Sequence, residues 1–169
     1  MTLHTIAPVF DENSKILVLG SFPSVKSREE GFFYGHPQNR FWKVIANAFD
    51  TPTPQNIEEK KALLLSNGIA LWDVIHSCDI VGSSDSSIKN VVPNDISKIL
   101  KTASIEKIIT NGKRRIRFIK NILSLNLILK PPACRQQEFL NFRRKPEQWY
   151  EASSAFLHTK LGSKLQNKI

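Results

Sequence analysis

Short apolar runs alternate along the chain with segments whose apolar residues recur at helical spacing. Four runs predict buried strands, at residues 15–20, 69–75, 105–110 and 125–129. Helices are predicted from residue 39 onward and over residues 57–66, 93–102 and 113–123. In the first of these helices, Phe41, Ile45 and Ala48 fall on one face. Strands that alternate with helices predict an α/β fold, with a parallel sheet and helices on both of its faces.

Three segments follow predicted strands and are interpreted as loops: residues 21–38, residues 77–90 and the pair Asn111-Gly112. In parallel α/β folds, ligands bind at the carboxyl ends of the strands. The first segment is long for a loop inside a compact domain, and its aromatic residues argue against disorder. We therefore expect a binding site where these three segments meet.

The composition indicates a single domain over residues 1–169. The chain is 41% hydrophobic, which is enough for one buried core. No apolar run approaches the roughly 20 residues of a membrane helix, and the N-terminus lacks a secretory pattern. The two cysteines, Cys78 and Cys134, exclude a Cys-rich zinc module, a four-cysteine iron–sulfur site and a disulfide framework. We expect a protein of the reducing cytoplasm that makes no membrane contact.

Charge is distributed unevenly along the chain, whose formal net charge is +9. Residues 1–110 carry 11 basic and 12 acidic side chains, whereas residues 111–169 carry 13 basic and 3 acidic ones. A basic end on a neutral body suggests an anionic partner, most often nucleic acid. A merely solvated basic face is the alternative, and charge alone does not decide between the two.

The segment GFFYGHPQNRFW, residues 31–42, combines aromatic residues, glycines, a histidine and an asparagine just before a predicted helix. Aromatic side chains on a loop suit stacking against a nucleobase, but Phe33 and Tyr34 could equally anchor the loop in the core. His36 could simply form a hydrogen bond within its own loop. Asn39 is a favoured helix N-cap residue, and a capping amide can still face a pocket.

The segment GSFPS, residues 20–24, follows the first predicted strand, and its backbone amides could hold a ligand or a water molecule. The sequence contains neither the G-x-G-x-x-G pattern of dinucleotide-binding proteins nor a P-loop. Asp73 and Asp85 are isolated carboxylates, for which a capping or turn role is the favoured interpretation. Asn111 also favours a turn, with recognition of a base edge as its alternative.

Together, GSFPS and GFFYGHPQNRFW resemble the hypoxanthine-DNA (deoxyinosine) glycosylase branch of the uracil-DNA glycosylase superfamily. The HPQNRFW portion is also similar to the mismatch-specific uracil glycosylases. Further segments fit the same branch: LWDVI with Ser77-Cys78, GSSDSSIK, Asn94-Asp95 and TNG at residues 110–112. The likeness runs from about residue 15 to about residue 129, and its long first block is the specific part.

This resemblance implies a three-layer α/β/α sandwich with a four-stranded parallel sheet. It also implies hydrolysis of the N-glycosidic bond of a deaminated base, hypoxanthine or uracil, extruded from double-stranded DNA, without metal or cofactor. Asn39 would be the catalytic residue, Phe33 or Tyr34 would stack on the base, and the protein would act as a monomer. The other substrate-binding candidates are Gly20, Ser21, Phe22, Pro23, Ser24, His36 and Asn111, and the candidates for contact with the DNA backbone are Lys113, Arg114 and Arg115.

The sequence after residue 129 departs from the family pattern. The family carries a proline- and serine-rich loop ending in alanine-asparagine after its fourth strand, and Pro131-Pro132 do not reproduce it. We interpret residues 131–169 as divergent, through a reading-frame change near residues 130–135. Translating the other two frames of the gene tests this hypothesis, which fails if neither encodes the loop. A catalytically impaired DNA-binding relic and a small-molecule nucleotide-binding module are therefore alternatives to an active glycosylase.

Overall fold

The computed structural model describes residues 1–111 and the backbone of residues 136–140. Its strands are β1 (Thr2–Leu3), β2 (Ile16–Gly20), β3 (Ile69–Asp73), β4 (Ile75–Asp79), β5 (Lys89–Pro93), β6 (Lys107–Asn111) and β7 (Gln136–Leu140). Its helices are α1 (Val25–Glu30), α2 (Phe41–Ala48), α3 (Ile57–Ser66) and α4 (Ser97–Thr102), with a 3-10 turn at Asp85–Ser87. The predicted α/β class is confirmed, and no helix in these ranges is long and apolar enough to cross a membrane.

In the part of the chain that is described, the larger sheet has four strands in the order β3-β2-β6-β7, and every adjacent pair is parallel. Every residue of β2 and β3 is buried, so both faces of this part of the sheet are covered. Strands β2 and β3 are paired in register from Ile16 with Ile69 to Gly20 with Asp73. Gly20 and Asp73 therefore end side by side at the carboxyl edge of the sheet.

A second, antiparallel sheet has three strands in the order β1-β4-β5, and the sequence did not predict it. One strand was predicted over residues 69–75, but the chain leaves the large sheet at Val74 and continues in the small one as β4. The prediction of a loop over residues 77–90 is wrong at β4 and at the start of β5. These strands are short and carry exposed polar residues, so they form no continuous apolar run.

Val74, between the two sheets, is held on both sides. Its backbone N–H donates to Gly20 O at 3.0 Å, and its carbonyl accepts from Asn94 N at 2.8 Å. The buried Asn94 side chain also donates from Nδ2 to Asp73 O at 2.9 Å and to Ile75 O at 3.2 Å. The passage from one sheet to the other is therefore fixed by four hydrogen bonds.

The predicted loop over residues 21–38 contains α1, which is a correction to the sequence interpretation. Ser24 caps this helix by accepting from Ser27 N, and Gly31 ends it with a φ of 66°. A six-residue helix is too short to show an apolar period. Helix α3 lies where it was predicted, whereas α4 begins only at residue 97, because residues 89–93 belong to β5.

The hydrophobic core lies around β2 and β3 and takes in the buried face of α2, with Phe41 and Ile45 among its most enclosed side chains. The helix predicted over residues 113–123 and the strand predicted over residues 125–129 lie outside the described residues. Among the described residues, the strand that pairs with the outer side of β6 is β7, at Gln136–Leu140.

Candidate active site

A buried hydrogen bond between a histidine and an aspartate lies at the carboxyl edge of the large sheet. Asp73, the last residue of β3, is 5% exposed, and its Oδ2 lies 3.0 Å from His4 Nε2. A carboxylate accepts hydrogen bonds, so His4 Nε2 is the donor. Asp73 Oδ1 lies so close to Gly20 that a Cβ at position 20 would overlap it. The expected cap or turn role of Asp73 is therefore wrong: this side chain is buried at the end of β3 and has a histidine partner.

Aromatic residues of the sequence motifs enclose the histidine. Phe22 meets the His4 ring edge-on at 5.9 Å between centroids, and Phe33 lies 6.1 Å away at a tilt. His4 N also donates to His76 O, which continues the pairing of the small sheet past β1. Phe33 is only 2% exposed, so the structure favours its alternative role as an anchor of the loop in the core.

Side-chain contacts fix the turn formed by residues 20–24. Ser21 Oγ donates to Asp85 Oδ1 at 2.9 Å, which ties the turn to the 3-10 segment. Arg28 Nη1 donates to Pro23 O at 2.6 Å, and its guanidinium lies over the Phe22 ring at 5.6 Å. Ser24 is the N-cap of α1, so the side chains of Ser21, Phe22 and Ser24 all contact other residues of the protein. Asp85 is thus a tether for the turn.

Tyr34 connects this edge to the start of α2. Its ring stacks on Phe41 with centroids 3.9 Å apart, and its hydroxyl lies 3.6 Å from where a Cβ of Gly20 would stand. Its φ is 54°, an uncommon conformation for a non-glycine residue and one that costs energy. His36, two residues on, is exposed, and its Nδ1 accepts from Gln38 N within the same loop.

Asn39 lies one residue before the N-cap position of α2, which is occupied by Arg40. Its Oδ1 accepts from the backbone N–H of Phe41 at 2.9 Å, so the carboxamide does satisfy the helix start. Among the residues described, nothing accepts a hydrogen bond from Asn39 Nδ2. A surface cleft of about 370 Å³ lies beside it, lined by Pro37, Gln38, Asn39, Arg40, Lys43, Val44 and Asn47. Asn39 is thus half-buried and lines a cleft together with two basic residues, Arg40 and Lys43.

The remaining predicted site residues lie at or beyond the end of β6. Asn111 is the last residue of β6, and only its backbone is described. Lys113, Arg114 and Arg115 lie outside the described residues. Of the predicted site residues, Tyr34 lies beside Gly20 and stacks on Phe41, whereas the cleft beside Asn39 is lined by neither Tyr34 nor the turn at residues 20–24.

Two further features of residues 1–111 bear on the chemistry of the site: the state of the Cys78 thiol and the grouping of possible metal ligands. Burial, assisted by the nearby Asp79, raises the pKa of the Cys78 thiol, which disfavours the reactive thiolate. Within residues 1–111, no group of three or more His, Cys, Asp or Glu side chains could hold a metal ion. The chemistry available here is that of amides, a carboxylate and aromatic rings.

Sequence reasoning missed His4 and the role of Asp73. Asp73 had a sequence signature, because it is a charged residue inside the apolar run IALWDVI, and a buried charge needs a partner. His4 had no such signature: it lies in an N-terminal segment without a motif and is 69 positions away from Asp73 in the chain.

A model of the uracil DNA glycosylase superfamily matches residues 7–164. The chain belongs to this superfamily. Two relatives named hypoxanthine DNA glycosylase, from Methanosarcina barkeri and Methanosarcina acetivorans, are 34% and 37% identical over 109 and 108 residues. These alignments cover 63% of this chain and 69% and 68% of the two relatives.

A solved structure is similar as well. The solution NMR structure of a candidate uracil DNA glycosylase from Methanosarcina acetivorans matches with a TM-score of 0.69 and 28% identity, over 87% of this chain and 92% of that chain. Membership of the uracil DNA glycosylase superfamily confirms the resemblance carried by GSFPS and GFFYGHPQNRFW. The reading-frame hypothesis for residues 131–169 stays a prediction.

Proposed function

We propose that this chain is a DNA glycosylase that hydrolyses the N-glycosidic bond of a deaminated base in double-stranded DNA. Hypoxanthine is the first substrate we expect and uracil the second, with the nucleotide extruded from the duplex. Membership of the superfamily and the names of the two relatives support the reaction class. The observation that carries the proposal is Asn39, whose carboxamide is anchored through its oxygen and which lines a surface cleft.

Asn39 would act on the departing base. Cleavage leaves positive charge on the sugar and negative charge on the base, and water then attacks C1′ while its proton goes to the base. A preorganised donor that meets the developing negative charge stabilises this transition state. The bond from Phe41 N to Asn39 Oδ1 fixes the plane of the amide, so Nδ2 is the group available for donation. Phe22 cannot polarise water, and we assign the positioning of water to backbone groups of residues 21–24.

The surrounding side chains suggest how DNA would be held. Tyr34, rather than the buried Phe33, would stack on the extruded base, since Tyr34 is only half-buried. Arg40 and Lys43 line the cleft and suit phosphate oxygens. Asn111 would contact a base edge.

Other parts of the proposal rest on sequence and family alone. Lys113, Arg114 and Arg115 would contact the DNA backbone. We expect the protein to act as a monomer in the cytoplasm and without a cofactor.

Two variants of Asn39 test the proposal. Asn39→Ala removes both the donor and the bond to Phe41 N, whereas Asn39→Asp keeps the bond and removes the donor. Single-turnover release of hypoxanthine from an inosine-containing duplex should fall on the order of 100-fold in both variants. Thermal unfolding should separate them, because only Asn39→Ala loses about 1 kcal/mol of capping stabilisation.

The outcomes distinguish the competing functions. Full activity in Asn39→Asp would refute the donor role. A wild-type protein that binds duplexes in a salt-dependent way but releases no base from inosine, uracil or xanthine sites would be the DNA-binding relic. Tight mononucleotide binding without duplex binding would instead support the small-molecule module.

A further inference from the structure

We propose that Asp85 is a positioning residue for base release, because it fixes through Ser21 the turn at residues 20–24, to which the proposed function assigns the attacking water. The inference rests on that glycosylase function and adds a residue from the serine segment, residues 81–87. Three observations carry it: a hydrogen bond that ties the turn to Asp85, a second charged contact further along the turn, and an unengaged peptide group between the two.

The turn at residues 20–24 is tied to Asp85 through Ser21. Ser21 is 3% exposed, and its Oγ donates to Asp85 Oδ1 at 2.9 Å across 64 positions of the chain. A hydrogen bond to a carboxylate is about twice as strong as one between neutral groups. The carbonyl of Ser21 also accepts from Ile75 N at 3.0 Å, so both the main chain and the side chain of Ser21 are fixed.

Asp85 can hold the turn because the serine segment is itself held in place. Val81 N donates to Ser87 Oγ at 2.9 Å, and this bond joins the two ends of the segment. Ser83 Oγ accepts from Val25 N at 3.0 Å, which connects the segment to the start of α1. The carboxylate of Asp85 therefore projects from a segment that is braced on itself and on the helix that follows the turn.

Arg28 holds the same turn at a second point. Its Nη1 donates to Pro23 O at 2.6 Å, and its guanidinium lies over the Phe22 ring at 5.6 Å. Asp85 thus holds the residue before Phe22, and Arg28 holds the residue after it. Two side chains of opposite charge, from two different elements, fix the backbone on both sides of Phe22.

Phe22 carries the peptide groups that these contacts leave open. Within residues 1–111, neither its backbone N–H nor its carbonyl has a hydrogen-bond partner, although the residue is only 8% exposed. Backbone groups at so enclosed a position are nearly always paired, with protein or with water. Under the proposed function, the carbonyl would accept from the attacking water and so direct a lone pair of its oxygen towards C1′.

The position of this peptide group matters because the attack depends on distance and angle. The reacting atoms have to lie about 3–3.5 Å apart, and a displacement of about 1 Å can cost on the order of 100-fold in rate. Without Asp85, the turn would keep its contact with Arg28 and its backbone bonds, so the displacement should be partial. We therefore expect a loss of about tenfold, the rate equivalent of one hydrogen bond.

Two variants of Asp85 in the full chain test the positioning role. The measurement is single-turnover release of hypoxanthine from an inosine-containing duplex at saturating enzyme, beside the affinity for the same duplex. Asp85→Ala should slow release about tenfold and change the affinity less than about twofold, because the turn acts on the chemical step. Asp85→Asn keeps an oxygen that accepts from Ser21 and should stay within about threefold of the wild-type rate.

A double variant shows whether Asp85 acts through Ser21. Ser21→Ala removes the other partner of the same bond and should also slow release about tenfold. Because the two residues share one interaction, the double variant Ser21→Ala/Asp85→Ala should be about tenfold slower than the wild type, instead of the roughly 100-fold that two independent losses would give. A general loss of stability would not produce this pattern in the chemical step.

Asp11 provides a matched control. Ser14 Oγ donates to Asp11 Oδ1 at 3.0 Å, which is the same kind of bond, but it lies before β2 begins and so at the opposite end of that strand from the turn. Asp11→Ala should lower the melting temperature without slowing base release. Thermal unfolding of each variant gives the folded fraction by which its rate is corrected.

Contradictory results separate the two proposals. Three outcomes overturn the role of Asp85 and leave the glycosylase function standing: a wild-type rate in Asp85→Ala or Ser21→Ala, losses that multiply in the double variant, and equal slowing by Asp11→Ala. If Asp85→Ala does not fold, a slow Asp85→Asn overturns the role and a slow Ser21→Ala beside a fast Asp85→Asn supports it. Absence of any base release by the wild type overturns the glycosylase proposal and this inference with it.

Discussion

The two sheets of the molecule differ in what they contribute. Every residue of β2 and β3 in the parallel sheet is buried, and these strands form the centre of the core. Strand β5 of the antiparallel sheet is largely exposed, and β4 is buried only in part. The small sheet nevertheless leads into His4, which binds Asp73 at the end of β3. The large sheet supplies the hydrophobic burial, and the small one brings polar partners to the edge where the candidate site lies.

The largest expected difference is in stability. Leu17→Ala, at a fully buried position of β2, should lower the free energy of unfolding by about 3 kcal/mol, because it leaves a cavity in the core. Val92→Ala, at a position of β5 that is 43% exposed, should lower it by about 0.5 kcal/mol or less. Urea unfolding of both variants measures the contrast. Equal losses would show that the small sheet carries as much of the stability as the large one.

The second prediction tests the contact between the two sheets at Gly20, Asp73 and His4. Gly20→Ala should cost about 1–2 kcal/mol, because the new Cβ displaces Asp73 Oδ1 and the carboxylate cannot move without straining its bond to His4. Gly35→Ala is the control, since its Cβ would meet the exposed and flexible end of Glu30. Combining Gly20→Ala with Asp73→Ala should recover most of the added cost. A similar loss of stability in Gly35→Ala would mean that the cost of Gly20→Ala does not come from the clash with Asp73.

The smallest effect concerns pH and the exposed side of the small sheet. The side-chain hydrogen bond from Asn90, assisted by the Met1 ammonium, lowers the pKa of Asp79. A lowered pKa gives stability above the ordinary value of 3.8 that is lost as the pH falls through the folded value. Asn90→Gly removes the bond without strain at a φ of 50°, so the pKa of Asp79 should rise. An NMR titration of the Asp79 carboxyl carbon checks this, and an unmoved midpoint would contradict it.

The same contrast explains how much of the fold the sequence predicts. Strand β2 and helix α3 lie where the pattern predicted them, because an apolar run and a helix N-cap residue can both be recognised in the local sequence. The small sheet leaves no such mark, since its strands are short and polar and are stabilised by pairing with distant residues. The switch between sheets at Val74 is equally hidden, because it falls inside one apolar run.

The candidate site divides along the same line. Asn39 and the turn at residues 20–24 were found from local motifs, and the hydrogen bond from Phe41 N to Asn39 Oδ1 follows from local spacing. The hydrogen bond between His4 and Asp73 depends on tertiary structure, and the local sequence around neither residue predicts it. The one local signal was an acidic residue inside an apolar run, which indicates that Asp73 needs a partner but does not identify His4.

Val74 lies between the two sheets, and four hydrogen bonds fix the backbone on both sides of it. These four hydrogen bonds leave no hinge between β3 and β4, so under the proposed function the distortion on binding falls on the extruded nucleotide rather than on this part of the edge. The rate of capture should then follow how weakly the target base is paired. Inosine opposite thymine would be taken faster than inosine opposite cytosine, with the same chemical step after capture.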